Sequence, residues 1–345
     1  MAIARMRQID VSVARWYHCM SRCVRRAFLL KKHGLLDRKA WIENRIGELA
    51  EIFAIAVGGF SVMNNHIHLL LRIDPEIGDG WSDEEVVRRW GRLFPPRDKG
   101  RRPLPISEAW VQDRLKDRAW VARARERLRS ISWFMKCLKE PLARLANRED
   151  KVRGAFFASR FKSVAILDEA SLLAVCAYID LNPVAAGIAV TPESSDHTSI
   201  KARVEHVEAQ GQTAQLEAAK NGSVAGSLAA AGVEESLWLC PIEDRRGLDS
   251  SREGMVAGFS LGSYLLLVDY TGRLFRAGKA VISAELADVF ARLRIGSETW
   301  QARLKKLRAG RWFGRFFAAT RERLKAVAER LGVGYVRNLS NCPAV

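Results

Sequence analysis

Long apolar runs and paired cysteines are both missing from this sequence. Its longest apolar stretches fall far below the ~18 residues that a membrane-crossing helix needs, so no membrane partner is expected. The first ten residues lack an apolar core before a cleavage site, which predicts no secretory signal. The six cysteines are scattered, and only Cys19 and Cys23 lie close together, without a second pair at zinc-ribbon spacing. We therefore expect reduced thiols, no structural zinc and a cytoplasmic protein.

Acidic residues are few compared with basic ones. The 345 residues include 56 Lys and Arg against 39 Asp and Glu, a net charge of +17 and a sequence pI near 10.0. Such an excess points to a polyanionic partner, and nucleic acid is favoured over a membrane surface. A hydrophobic content of 48% and this length predict a globular chain of two or three domains. With DNA as the expected partner, the expected location is the nucleoid.

The most informative stretch is an apolar, β-prone segment at 62–73 that contains two histidines. His66 and His68 are two residues apart, so in a strand they project from the same face while Ile67 turns to the other. Two imidazoles form half of a metal site, and they suit several transition metals or can join a Mg²⁺ sphere. The alternative is a pair of partly exposed histidines at a sheet edge.

Hydrophobic periodicity predicts an α+β fold around this segment. An irregular insertion at about 75–130 interrupts the pattern, with Gly and Pro marking its turns. We predict a ferredoxin-like antiparallel sheet with helices on one face. The predicted strands are 11–24, 54–63, 66–73 and 154–167, and the predicted helices are 38–54, 108–129, 130–147 and 169–181.

The remaining chain changes in composition after about residue 200. Residues 201–235 predict a charged helix and a flexible linker, because 221–232 consists mainly of small residues. Residues 236–345 predict a mainly helical, basic C-terminal region, with apolar repeats at 286–293 and 312–331. The predicted domains are therefore 1–200, 201–235 and 236–345.

A second pair of polar side chains follows the helix predicted at 169–181. Tyr178 and Asn182 are four residues apart, which places them on one helix face. If that face meets the two histidines, Asn182 becomes a candidate third metal ligand and Tyr178 a candidate nucleophile towards phosphorus. The alternative makes Tyr178 a half-buried aromatic and Asn182 a C-terminal cap before Pro183.

Four short motifs occur in a characteristic order over about residues 10–200. Together they resemble the single-tyrosine HUH transposases, in particular the REP-associated tyrosine transposase-like branch. The motifs are Tyr17-His18-Cys19-Met20-Ser21-Arg22, Asn65-His66-Ile67-His68-Leu69-Leu70-Leu71, Arg160-Phe161-Lys162-Ser163, and Tyr178-Ile179-Asp180-Leu181-Asn182-Pro183-Val184 with Gly187.

The resemblance implies a DNA strand transferase. Its members cut single-stranded DNA near hairpins and form a covalent 5′-phosphotyrosine. The resemblance therefore implies that Tyr178 is the nucleophile and that His66 and His68 bind Mg²⁺ or Mn²⁺. It implies Asn182 as the candidate third ligand. It also implies a role in transposition and recombination, as a monomer or homodimer. Met63-Asn64-Asn65 departs from the Met-Pro-Asn that the family often has before its first histidine, and the insertion and the C-terminal region lie outside the family's compact domain.

Basic residues near these motifs and near the C terminus are candidate DNA contacts. Residues 301–330 contain ten Lys or Arg against two acids and predict a helical clamp on hairpin phosphates, unless the basic face is only solvated. The candidates are Arg22, Arg25, Arg26, Arg160, Lys162, Lys305, Lys306, Arg308 and Arg311.

Two other functions fit the same fold. One is a catalytically silent regulator that binds single-stranded DNA or RNA through the basic sheet. The other is an RNA-processing nuclease that uses the histidines without a covalent step. The retention of His66, His68, Tyr178 and Asn182 together favours the enzyme.

Overall fold

The computed structural model describes residues 9–31, 36–220, 232–247, 252–277, 284–293, 295–308, 316–317 and 321–332. Two compact units divide the chain. One comprises Met1–Lys31, Val57–Leu71 and Ala158–Val345, and the other comprises Lys32–Ala56 and Arg72–Phe157. Among the described residues, no helix has the length and apolar character needed to cross a membrane.

The first unit is built on a sheet. Its strands are β1 (Trp16–Arg22), β2 (Ile55–Val62), β3 (His66–Ile73), β4 (Lys162–Ile166) and the short β7 (Phe316–Phe317), in the order β2-β3-β1-β4-β7. The first four strands form an antiparallel sheet, and β7 adds to β4 in parallel. His18 of β1 pairs with Val164 of β4, which fixes the side chains that share its face. The predicted α+β class with an antiparallel sheet is confirmed.

Helices of the first unit follow β4 in sequence. The central one is α7 (Glu169–Asp180), which is buried almost all round because its sequence is apolar except near its ends. Asp168 starts α7 by accepting a hydrogen bond from the amide of Ser171 at 2.8 Å. The others are α8 (Asn182–Ala185), α9 (Ser199–Ala209), α10 (Thr213–Lys220), α11 (Leu261–Ala277), α12 (Ala284–Arg292), α13 (Ser297–Arg308) and α14 (Arg321–Arg330), with short strands β5 (Glu243–Asp244) and β6 (Val256–Ala257) between α10 and α11.

A buried polar network fixes α7 to the helices around it. The carboxylate of Asp180 accepts hydrogen bonds from the Ser199 hydroxyl at 2.5 Å, the Ile200 amide at 2.9 Å and the Tyr264 hydroxyl at 2.5 Å. Burial raises the pKa of Asp180, while these donors oppose that rise. The network connects α7, α9 and α11 at Asp180, two residues after Tyr178 in the chain.

The second unit is helical. It contains α1 (Arg38–Ile52), α2 (Pro75–Gly80), α3 (Asp83–Leu93), α4 (Glu108–Leu115), α5 (Arg118–Leu128) and α6 (Ile131–Glu149). Helix N-caps set several of the boundaries: the side chains of Asp37, Ser82, Ser107 and Asp117 each accept a hydrogen bond from a backbone amide of the first turn. Arg38, fully buried, pairs with Glu149 at 2.8 Å and with Asp150.

Several predicted element bounds were wrong. The helix predicted at 108–129 is two helices, because Asp117 caps a new one through the amide of Trp120. The strand predicted at 11–24 begins only at Trp16, since Asp10 accepts the amides that follow it and forms a turn. The strand predicted at 154–167 begins at Lys162.

The C-terminal predictions had mixed outcomes. The helix predicted at 286–293 is α12, whereas the segment predicted as one helix at 312–331 contains strand β7 and then α14. Most of the predicted linker, 221–231, lies outside the described residues. The predicted domain bounds remain predictions.

Candidate functional site

The two histidines of β3 lie on one face of the sheet. The ring centroids of His66 and His68 are 4.9 Å apart, while Ile67 between them is fully buried on the other face. This arrangement follows from the two-residue period of a strand. Two imidazoles are thereby directed to one region of the sheet surface.

A third histidine, which sequence reasoning did not select, joins them from the neighbouring strand β1. The Nε2 atom of His18 lies 2.8 Å from Nδ1 of His68, and both side chains are 1% exposed. A hydrogen bond at this distance lets each ring orient the other. The sequence signals were the position of His18 in the first of the four motifs and between Trp16 and Met20 in a strand, where a buried polar residue needs a partner.

Tyr178 brings α7 to the same histidines. Its ring centroid is 5.7 Å from that of His68 and 6.0 Å from that of His18, with both ring pairs edge to face. The side chain is 9% exposed. The candidate nucleophile therefore lies beside two of the three imidazoles.

Asn182 starts α8, one turn after Tyr178. Its carboxamide nitrogen donates to the carbonyl oxygens of Tyr178 at 3.0 Å and Ile179 at 3.4 Å. Pro183 has no backbone N–H that could donate to the last carbonyl groups of α7. The side chain of Asn182 donates to them instead. Within the described part of the chain, the carboxamide oxygen has no hydrogen-bond partner, so it is the atom that remains for a ligand.

Asn65 connects the histidine strand to the basic turn after β1. Its carboxamide oxygen lies 2.5 Å from Nδ1 of His66, and its carboxamide nitrogen donates to the carbonyl oxygen of Arg26 at 2.9 Å. The carbonyl oxygen of Asn65 also accepts the amide of Cys23 at 2.8 Å. Since a carboxamide oxygen can only accept, Nδ1 of His66 carries the proton and Nε2 carries the lone pair.

The imidazoles of this site are neutral at pH 7. Burial lowers the pKa of His18 to about 3, and burial with the nearby charge of Arg22 lowers the pKa of His66 to about 4. Burial and the neighbouring His66, His18 and Arg22 hold the pKa of His68 well below its usual value. Neutral imidazole is the form that binds metal ions.

Two cationic side chains lie at this end of the site, Arg22 near the histidines and Lys162 near Arg22. Arg22 ends β1 and is close enough to affect both histidines of β3, and burial and the Arg22 charge lower the pKa of Lys162 at the start of β4. Arg25 and Arg26 are exposed in the adjoining turn, with positive φ angles of 53° and 58°. Such angles are uncommon for residues with a side chain, and the hydrogen bond to Asn65 holds this turn.

The other predicted DNA contacts are spread over the first unit. Arg160 is exposed in the loop before β4. Lys305, Lys306 and Arg308 lie in the last turns of α13, where Lys305 is exposed. Arg311 lies outside the described residues. The structure thus brings Arg22 near His66 and His68, Lys162 near Arg22, and the backbone of Arg26 onto Asn65.

Within the described segments, no group of three or more His, Cys, Asp or Glu side chains surrounds one metal position, and this includes the three histidines of the site. The candidate donors are the imidazoles of His66 and His68 and the amide oxygen of Asn182. These suit a divalent ion that completes its sphere with water or phosphate oxygens.

Comparison with known proteins gives one likeness of fold. No family model matches the chain, and no curated protein matches it. Among solved structures, the chain is similar to a REP-associated tyrosine transposase bound to a REP hairpin, with 13% sequence identity and a TM-score of 0.35. The similarity covers 59% of this chain and 86% of that one. Function has therefore to be inferred from the side chains themselves.

Proposed function

We propose that this protein cleaves and rejoins single-stranded DNA through Tyr178, with a divalent metal ion bound by His66 and His68. The observation that carries the proposal is the convergence of Tyr178, His68 and His18 on one sheet face, with ring centroids 5.1 to 6.0 Å apart. A phenol beside neutral imidazoles and cations is a suitable nucleophile for a phosphodiester.

Tyr178 performs the covalent step. Its phenol oxygen bonds to phosphorus as the bond from phosphorus to the 3′ oxygen breaks, and the phenol proton is lost while the leaving oxygen gains one. The products are a 5′-phosphotyrosine and a free 3′-OH. Because one phosphate ester replaces another, the reverse attack by a 3′-OH can reseal the strand or join it to a new one.

The donor set fits a Mg²⁺ or Mn²⁺ ion. Nδ1 of His66 is held by Asn65 and Nδ1 of His68 by His18, so Nε2 is the nitrogen that each ring offers to a metal. The oxygen of Asn182 is the candidate third ligand. When bound, the metal would polarise the phosphate and neutralise charge that develops on its oxygens.

The cations near the histidines would hold the DNA backbone. Arg22 lies near His66 and His68, Lys162 lies near Arg22, and Arg25 and Arg26 are in a turn that Asn65 anchors. A guanidinium contacts phosphate oxygens with two parallel N–H groups, which fixes orientation as well as charge. These four residues are therefore proposed to place the scissile phosphate beside Tyr178.

Covalent capture tests the proposal. Hairpin DNA labelled at its 3′ end is incubated with protein and Mn²⁺, and a denaturing gel should show labelled protein, because the adduct retains the downstream strand. Tyr178→Phe removes one oxygen and should abolish the labelled band while DNA binding persists. Tyr17→Phe is the matched control, since Tyr17 is buried and bonded to the backbone of Asp10. A persistent adduct with Tyr178→Phe would assign the nucleophile elsewhere.

The second candidate is a silent binder of single-stranded nucleic acid. It is favoured by the lack, within the described segments, of a three-member His, Cys, Asp or Glu cluster. It predicts tight binding of the hairpin with no adduct in Mn²⁺ or Mg²⁺. The same gel, run beside a binding titration, distinguishes the two functions.

A further inference from the structure

Tryptophan and basic residues are concentrated in the second unit, away from the residues of the proposed site in sequence. Residues 81–136 contain fifteen Lys or Arg against eight Asp or Glu. They also contain five of the ten tryptophans of the chain. The five are Trp81, Trp90, Trp110, Trp120 and Trp133.

One group of these rings gathers around Trp133 of α6. The ring centroids of Trp90 and Trp133 are 5.3 Å apart, and Phe94, which is 41% exposed, lies 4.8 Å from Trp90. The guanidinium carbon of Arg127 is 4.6 Å from the Trp133 ring centroid, and Nζ of Lys136 is 4.4 Å from it. Two cations therefore contact one half-buried indole.

A second group lies at the other end of α5. The rings of Trp110 and Trp120 are 6.3 Å apart, and the guanidinium carbon of Arg114 is 5.8 Å and 5.5 Å from their centroids. Trp120 and Arg127 are seven residues apart on α5. This spacing is about two helical turns, so both residues lie on one side of the helix, about 10 Å apart along its axis. The exposed Arg123 lies between them on that side. One indole ring and two guanidinium groups thus follow one another along this side of α5.

Arginines of the second unit differ in whether they form an ion pair with a carboxylate. Arg88 and Arg125 each reach a carboxylate, at 2.7 and 2.8 Å. Within the described residues, Arg114 and Arg127 contact only aromatic rings, and Arg123 contacts neither an acid nor a ring. Among the residues that the structure describes, no carboxylate therefore forms an ion pair with these three guanidinium groups of α4 and α5.

We propose that this aromatic-cation strip, formed by Trp110, Arg114, Trp120, Arg123, Arg127, Trp133 and Phe94, binds single-stranded DNA. Half-exposed rings offer flat faces for bases, and the unbalanced guanidinium groups offer contacts to phosphates. Arginine held over an indole is also pre-oriented, so less side-chain freedom is lost on binding.

Single strands fit the strip better than duplex DNA. The faces of bases are stacked within a duplex, whereas a single strand can turn them onto indole rings. The strip needs neither Tyr178 nor the metal ligands, so this inference does not depend on the cleavage chemistry. It assigns to the irregular insertion a role that the fold of the sheet does not supply.

Binding of oligo(dT) to the Tyr178→Phe protein tests the strip without cleavage. Combined Arg114→Gln, Arg123→Gln and Arg127→Gln should weaken binding at least tenfold and lower the slope of log K against log salt by about 2, because each phosphate that a cation neutralises on a single strand contributes about 0.7. The control is Arg88→Gln, Arg92→Gln and Arg129→Gln, which removes the same charge from arginines paired with acids. Equal weakening in both variants, or no weakening in the first, would overturn the proposal.

Two further measurements keep the result interpretable. Arg123→Glu alone, at an exposed residue that forms no ion pair or cation–π contact within the described part of the chain, should weaken binding severalfold even if the triple variant folds poorly. Stacking is tested with an abasic strand of the same length, which should bind at least tenfold more weakly than oligo(dT). Irradiation of 5-bromodeoxyuridine DNA should crosslink to Trp120 or Trp133. Equal affinity for the abasic strand, or crosslinks confined to the first unit, would refute the strip.

Discussion

His18 holds the ring of His68, and its removal should weaken metal binding without removing any proposed ligand. The pair is joined at 2.8 Å between Nε2 of His18 and Nδ1 of His68, and both rings are 1% exposed. For His68 to offer Nε2 as a lone pair, its Nδ1 must donate to His18. His18 would then fix both the tautomer and the orientation of the ligand ring.

The size of the effect follows from this geometry. Loss of the residue that orients a metal-bound imidazole typically reduces metal affinity about 10- to 100-fold, equivalent to about 1.4–2.7 kcal/mol. Loss of a buried hydrogen-bond partner costs folding stability of about 1–3 kcal/mol as well. His18→Phe should therefore bind Mn²⁺ about 10- to 100-fold more weakly and melt at a lower temperature.

Calorimetric titration with Mn²⁺ measures the affinity directly, and circular dichroism confirms folding. His18→Gln is the matched rescue, because its carboxamide oxygen can accept from Nδ1 of His68 near the position of the replaced nitrogen. It should retain most of the affinity. If His18→Phe binds Mn²⁺ as tightly as the unmodified protein while His68→Ala does not, the orienting role of His18 is refuted.

Three further expectations follow from the first unit. The folded-state pKa values of His18 and His66 are about 3 and about 4, below the unfolded value of 6.5. The contribution of these histidines to folding stability should therefore be complete above pH 6.5 and fall by up to about 1.4 kcal/mol per pH unit for each histidine as the pH drops towards 4. Urea titration in the absence of metal measures this fall. Asp180→Ala should lower the free energy of unfolding by about 3 kcal/mol or more, since three buried donors lose their acceptor, whereas a flat result in denaturant titration would contradict this. Lys305→Gln with Lys306→Gln should lower the salt slope of hairpin binding by about 1.4–1.8, and an unchanged slope would show that this basic face is only solvated.

The sequence was sufficient for geometry that is local in the chain. His66 and His68 share a face because the period of a strand is two, and the start of α7 at Asp168 follows from its capping side chain. The break between α4 and α5 had the same kind of signal in Asp117, a good N-cap residue, but the apolar pattern continued across it. Local rules therefore conflicted there, and the cap prevailed.

Nonlocal contacts could not be read from the sequence. His18 meets His68 only because β1 lies beside β3 in the sheet, and the two residues are 50 positions apart. Strand β7 likewise forms because Phe316 pairs with Ala165 of β4, although the apolar period around it favours a helix. Sheet pairing determined both outcomes, and single-sequence periodicity contains no information about it.

Asn182 shows how one residue can satisfy both readings of its position. Helical spacing from Tyr178 made it either a third ligand or a C-terminal cap. In the structure its nitrogen caps the carbonyls of α7, and its oxygen is directed elsewhere. The two roles use different atoms of one carboxamide, so the cap does not exclude a ligand and instead fixes the orientation of the oxygen.

The electrostatics of the site combine two requirements that would ordinarily conflict. A phosphate needs positive charge nearby, whereas a metal ligand histidine must not carry a proton. Arg22 provides the first, and the same charge helps to lower the pKa values of His66 and His68. Burial acts in the same direction, so the imidazoles stay neutral beside a cation. Under the proposed function, the positive charge that attracts DNA would lie on Arg22, and the lone pairs would lie on imidazoles that are neutral at pH 7.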